Sequence, residues 1–214
     1  MTDRPGAEQW VPESCSLSRL RDAAPDCRGC ELWADATQVV FSTGTRKARV
    51  MLVGEQPGDI EDREGEPFVG PAGRILDEVL EQAGIDRREV YLTNAVKHFR
   101  HEMRGKRRIH QKPTVAHITA CRPWLEAEVA AVDPVVVVCL GATAGRAVLG
   151  SPVRIGEQRG QVLEPGPRAV AGTPSVVLTT HPSSILRLRD RDERRAARKA
   201  LADDLRAAAA VTDA

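Results

Sequence analysis

The sequence predicts an α/β fold, a three-layer αβα sandwich around a central four-stranded parallel sheet. Three observations carry this expectation. From residue 46 onward, short apolar runs alternate with segments of helical periodicity, the pattern of βαβ units whose sheet is covered on both faces. The run VVVVCL at 135–140 is apolar without alternation, as a strand buried on both faces must be. The chain of 214 residues is 42% hydrophobic, enough for a sizeable core in one domain. Aromatics are only 3%, so Val, Leu, Ala and Ile must build most of that core.

The elements follow in order. Residues 1–26 are polar, carry Pro5, Pro12 and Pro25, and read as an arm with one short helix around 16–23. Residues 27–210 read as a single domain and 211–214 as a tail. The first strand is RVMLV at 49–53, ending in Gly54. Ile75, Leu76, Val79, Leu80 and Ala83 recur at the spacing of one helical face over 74–83, and Gly84 stops that helix. VYLTN at 90–94 is a second strand. A helix over 114–132 ends at Asp133 and Pro134, and the strand 135–140 follows. A short helix at 142–149 is closed by Gly150, and 175–180 is the fourth strand. The last helix, 191–210, turns Leu201 and Leu205 inward.

Charge and hydropathy limit the function classes. Lys+Arg is 31 and Asp+Glu is 30, a net charge of +1, which excludes coating nucleic acid by bulk charge and leaves room for a local basic patch. The longest strongly apolar run, 135–140, is far too short to cross a bilayer, so no membrane partner is expected. The opening MTDRPGAEQW has no apolar stretch behind its charges, which gives the expectation of a cytoplasmic, nucleoid-associated protein. Nothing suggests an obligate interface, so a monomer is expected.

In a parallel sheet the site lies beyond the carboxyl ends of the strands. Four segments leave those ends and should converge: GEQPG at 54–58, NAVKH at 94–98, GAT at 141–143 and HPSS at 181–184. GEQPG makes a rigid turn that projects the Glu55 carboxylate and the Gln56 amide; it matches no nucleotide-binding loop and is otherwise a plain strand-to-helix turn. Phe68, in PFVG at 67–70, is either a packed loop anchor or a flat platform for a base. His181, aimed by Pro182, is either structural or a donor to an oxygen that gains negative charge.

Five cysteines in a chain of this kind argue for metal binding or buried thiols over a disulfide framework. Cys27 and Cys30 form a C-x-x-C knuckle, with further ligands available from His98 and Cys121 or from Cys139. Zinc and an iron–sulfur cluster fit such donors equally well, and a redox pair lacks its strand-then-helix context. Cys139 reads as a small core residue, and Cys15 has no role. The most unusual segment is 100–112, a loop holding Arg100, Arg104, Lys106, Arg107, Arg108 and Lys112 against Glu102 alone, with His101 and His110 interspersed. Phosphate contact is the expectation there.

The ordered set GEQPG, PFVG, YLTNAVK at 91–97, LGATA at 140–144 and HPSS resembles the uracil-DNA glycosylase superfamily, in the order and spacing of its iron–sulfur-containing family-4 enzymes. The resemblance covers roughly residues 25–206. His98 stands where family-4 enzymes have a cysteine, and KRRIH at 106–110 is inserted; both features look like the X-type subfamily (UdgX), which links itself covalently to uracil-containing DNA.

The resemblance implies a [4Fe–4S] cluster held by Cys27, Cys30, His98 and Cys121. It implies uracil-containing DNA as partner, single-stranded DNA favoured, and a base bound by Gly54, Gln56, Phe68, Asn94 and His181. His181 would stabilise the departing uracil anion. His110 would attack C1′, with Glu55 taking its proton and Gln56 positioning the base or leaving group. Lys106, Arg107, Arg108, Ser183 and Ser184 would hold phosphates.

Overall fold

A computed structural model of the chain describes residues 4–13 and 16–212. Cys15 and the last two residues of the expected tail lie outside the described residues. The strands are β1 Ser42–Thr43, β2 Val50–Gly54, β3 Val90–Asn94, β4 His101–Arg104, β5 Arg107–His110, β6 Val136–Leu140, β7 Val162–Leu163 and β8 Ser175–Thr179. The helices are α1 Leu17–Ala23, α2 Leu32–Asp35, α3 Asp59–Glu64, α4 Pro71–Ala83, α5 Val115–Val132, α6 Ala142–Leu149, α7 Ile155–Gln158, α8 Ser183–Leu186 and α9 Arg191–Thr212.

The expected four strands pair in parallel in the order β3-β2-β6-β8. Two antiparallel edge strands were not expected: β1 pairs with β3, and β7 pairs with β8. Each has two residues, too few to show a period. Every residue of β2, β3 and β6 is buried. Successive side chains point to opposite faces, and both faces are covered. Met51, Val53, Tyr91, Val137 and Cys139 meet Trp124 and Leu125 of α5 on one side. Leu52, Leu92, Val138 and Leu140 meet α4 and α9 on the other, through Leu76, Leu80, Leu201 and Leu205.

Local chemistry sets the helix ends. The Thr114 hydroxyl accepts the His117 N–H at 3.4 Å while His117 Nδ1 accepts the Thr114 N–H at 3.0 Å, a reciprocal cap that starts α5. Asp133, at φ 51°, ends it.

The N-terminal segment is fastened to the domain. Ala7 N–H donates to Ala120 O at 2.9 Å, Gly6 N–H to Gly29 O at 3.1 Å, and Leu20 and Ala24 are fully buried. The α9 helix runs through Thr212, so the first two residues of the expected tail are helical. Among the described residues no helix is long and apolar enough to cross a membrane.

Candidate active site

The parallel strands end together, and beyond their carboxyl ends lies a cleft of about 580 Å³. The four segments expected to converge do so. Glu55 and Gln56 follow β2, Asn94 ends β3, Thr143 opens α6 after β6, and His181 follows β8, with Phe68 and His110 completing the wall. Gly54 is where this wall is tightest. A Cβ there would come within 2.2 Å of Asn94 Oδ1 and 2.7 Å of Phe68 Cζ, so only glycine lets both side chains sit at the floor.

Phe68 occupies the left-handed region at φ 60°, an uncommon conformation for a bulky residue. Its surroundings hold it there. Arg87 Nη2 donates to its carbonyl at 3.3 Å, and Gly73 of α4 leaves space where a Cβ would come within 1.7 Å of that oxygen. Glu61 ties the two loops of the wall together, accepting the Gly58 N–H at 3.1 Å and the Gly70 N–H at 2.9 Å. The Phe68 and His181 rings face each other at 6.3 Å between centroids and 28° between planes.

Asn94 is 3% exposed, and among the described residues its side-chain amide has no hydrogen-bond partner, so both its donor and its acceptor are free for a ligand. Its backbone is fixed from behind. The buried Lys97 ammonium donates to Asn94 O at 3.0 Å and to Thr93 Oγ1 at 2.5 Å, and is paired with buried Glu128.

Two histidines reach the cleft in different states of preparation. His181 Nδ1 accepts the Ser183 backbone N–H at 3.1 Å, so the proton of the neutral ring belongs on Nε2. Burial, together with the nearby His110 and Arg187, pulls His181 down to about 4, and the ring is neutral at pH 7. Ser184 Oγ donates to the His181 backbone carbonyl at 2.7 Å, so Ser183 holds the ring and Ser184 the main chain behind it. His110 ends β5 and is half exposed; its Nε2 lies 3.5 Å from Glu55 Oε1. Burial also lowers its pKa, with Glu55 opposing and Arg187 adding to the shift. The other oxygen of Glu55 accepts a hydrogen bond from the Thr143 hydroxyl.

The segment 100–112, expected as a loop, holds the β4–β5 hairpin, in register from His101 opposite His110 to Arg104 opposite Arg107. Two clamps fix it. The Gln56 amide donates to Arg100 O and Gln111 O, each at 3.1 Å, and accepts the Arg100 N–H at 3.2 Å. Both amide protons of Gln56 are therefore spent on the hairpin base, and its Oε1 keeps one lone pair beside the cleft that the side chain lines. Arg108 turns inward, with Nε 2.5 Å from Asp59 Oδ1 and Nη1 2.5 Å from Asp62 Oδ2 and 2.9 Å from Thr37 Oγ1. Its guanidinium also lies 5.5 Å from the centre of the Phe99 ring. A phosphate contact is therefore not what this side chain makes. Lys106 and Arg107 are exposed at the hairpin tip and, among the described residues, have no carboxylate partner.

Residues 41–206 match the family profile described as the uracil DNA glycosylase superfamily. The chain belongs to the uracil DNA glycosylase superfamily. It is 38% identical to the type-4 uracil-DNA glycosylase of Thermotoga maritima, over 79% of this chain and 82% of that one. It is 31% identical to the type-4 enzyme of Pyrobaculum aerophilum, over 80% and 85% of the two chains. The type-4 enzyme of Sulfurisphaera tokodaii is 36% identical over 59% of this chain and 54% of its own.

On this glycosylase fold a second feature lies behind β3. Cys27, Cys30, Cys121 and His98 are all buried, each 6–7% exposed. Burial raises the Cys30 thiol to about 11 and Cys121 to about 12, with the neighbouring sulfurs adding to both. Burial, with Arg28 beside it, holds His98 at about 4, which leaves its imidazole neutral and free to bind a metal. Trp124 Nε1 donates to Cys27 Sγ at 3.2 Å. Three buried thiols and a neutral imidazole are donors that suit zinc and an iron–sulfur cluster alike. Cys139 is fully buried in the sheet, as a core residue.

Sequence reasoning missed Glu61, Thr143 and Arg187. A signal existed for Glu61: it stands three residues after Gly58, the position of the acid in a capping box, and the helix starts there. Thr143 lay in a segment expected at the cleft, but its partner Glu55 stands 88 residues away, beyond any local pattern, and Arg187 reaches the cleft only through the fold.

Proposed function

We propose that this chain excises uracil from DNA and then bonds itself to the exposed sugar carbon through His110. The observation that carries this reading is the position of His110 Nε2, 3.5 Å from Glu55 Oε1, in the cleft that also holds Phe68, Asn94 and His181. Membership of the glycosylase superfamily and the type-4 relatives support the excision half.

The target base leaves the stack or comes from a single strand, where unpairing costs least, and single-stranded DNA is the favoured substrate. Uracil stacks on Phe68. The Asn94 amide donates to O4 and accepts N3–H, a pattern that cytosine reverses. His181 donates its Nε2 proton to O2. The C1′–N1 bond breaks, its electron pair leaves on the uracil ring, and the His181 hydrogen bond strengthens as that charge grows. Lys106 and Arg107, at the hairpin tip, hold flanking phosphates.

His110 takes the place of water. Glu55 Oε1 receives any proton on Nε2, and the remaining ring proton stays on Nδ1. The Nε2 lone pair then forms the bond to C1′, and the Nδ1 proton of the charged product ring passes to solvent. An imidazole held against C1′ has an effective concentration on the order of 10⁵ M, far above that of water, so it needs no special activation to win.

We assign Cys27, Cys30, His98 and Cys121 to a [4Fe–4S] cluster. When bound, it cross-links the N-terminal segment to β3 and α5 and does no chemistry on the base. The buried set of three thiols and one neutral imidazole supports this.

The test is a denaturing gel of wild type and His110→Ser with a single-stranded uracil oligonucleotide. The wild type should give a shifted protein–DNA band and His110→Ser free abasic product. An adduct that survives the substitution overturns the role of His110. A wild type that gives only abasic product makes the chain an ordinary multiple-turnover glycosylase.

A further inference from the structure

The Glu55 carboxylate sits between two side chains from different elements. Its Oε1 lies 3.5 Å from His110 Nε2 on the hairpin, and its Oε2 accepts the hydroxyl proton of Thr143 at the start of α6. Thr143 is 5% exposed and lines the cleft, yet nothing in the excision chemistry uses it. Among the described residues these two contacts are the only side-chain partners of the carboxylate.

We propose that Thr143 is a positioning residue that decides which nucleophile reaches the sugar. This rests on the covalent reading above and deepens it. A carboxylate has two equivalent oxygens and rotates freely about its last bond unless something holds it. The Thr143 hydroxyl occupies Oε2 and leaves Oε1 as the one oxygen with free lone pairs toward the hairpin. Glu55 therefore accepts from His110 and has little freedom to order a water in its place. Without the hydroxyl, the carboxylate turns, either oxygen can collect water, and the imidazole loses its fixed acceptor. Water then competes for C1′.

The inference predicts a change in the product ratio. Thr143→Val keeps the shape of the side chain and removes the donor; Thr143→Ser keeps the donor. With saturating single-stranded uracil oligonucleotide under single-turnover conditions, Thr143→Val should form adduct about tenfold more slowly, the size expected for losing a hydrogen bond to a charged group. Its free abasic product should rise relative to adduct, while the rate of uracil release changes little. Thr143→Ser should restore the wild-type ratio. A Thr143→Ala variant serves in the same assay if the valine does not fit at the start of α6. Wild-type adduct with an unchanged ratio in the valine or alanine variant overturns the inference and leaves the covalent reading intact. No adduct in the wild type removes both. A loss of uracil release matching the loss of adduct in Thr143→Val, unrescued by Thr143→Ser, assigns the residue to the fold alone.

Discussion

Arg108 and Asp62, 46 residues apart in sequence, form a salt bridge of 2.5 Å that locks the β4–β5 hairpin against α3. The Asp62 carboxylate is fully buried and also accepts the Thr37 N–H at 3.1 Å. The pair thus sets where the hairpin lies, and His110 stands two residues beyond Arg108 on the same strand.

Removing one partner of a buried pair leaves the other uncompensated, at a cost on the order of 3 kcal/mol. Arg108→Ala should therefore lower the melting temperature and slow adduct formation by at least tenfold, while uracil release persists. Arg108→Lys should recover little, because one ammonium cannot span Asp59, Asp62 and Thr37. Melting curves and single-turnover adduct rates check both. An unchanged adduct rate in Arg108→Ala would remove this anchor from the account.

Gly54 gives a test of the base pocket alone. Gly54→Ala places a Cβ against Asn94 Oδ1 and Phe68 Cζ, and both must shift. Uracil release and adduct formation should fall together by two orders of magnitude or so, with the cooperative melt retained, as expected when a positioned binding constellation is displaced by about 1 Å. Normal uracil release would mean that the base is held elsewhere.

Much of the fold could be read from the sequence, and particular elements show why. The β2, β3 and β6 strands announce themselves as short, continuous apolar runs because every residue is buried, and α4 does so by the helical spacing of its one buried face. The hairpin does not. His101, Arg104, Arg107 and His110 all carry polar groups to solvent or the cleft, so its strands have no apolar face to alternate. The positions of Asn94 and His181 at one cleft followed from the rule that sites lie beyond the strand ends, whereas Phe68 reaches it from the loop between α3 and α4. The true partners of Gln56 and Arg108 depend on contacts across 44 and 46 residues, which no local pattern encodes.

Acid should weaken the fold through its histidines. Folded His181 has a pKa of about 4, held down by burial with His110 and Arg187, against about 6.5 in the unfolded chain. A lowered histidine pKa means that the unfolded state binds the proton first as pH falls. The contribution of His181 to stability is thus complete above about pH 6.5 and is lost between there and about 4. Denaturant melts of wild type and His181→Asn across that range check this: the difference in stability should shrink as pH drops. A difference independent of pH would contradict the buried neutral ring. For His110 the same burial keeps Nε2 available, so adduct formation should stay flat from pH 8 to below 6.5.

The buried thiols make a colour prediction. Protein purified without oxygen should be brown, with broad absorption toward the blue and about four irons per chain. Cys121→Ser should lose the colour and His98→Cys should keep it, since a thiolate can replace the imidazole. Iron analysis and absorbance check this independently of any assay on DNA. Colourless, iron-free wild type would contradict the cluster assignment.

The central claim concerns one bond, from His110 Nε2 to C1′. Its most direct measurement is mass spectrometry of the protein after incubation with a uracil-containing oligonucleotide, followed by peptide mapping. The account predicts a mass gain equal to the oligonucleotide minus uracil, carried on the peptide that contains His110 and absent from His110→Ser. Unmodified protein beside free abasic DNA, or an adduct on any other residue, would contradict it.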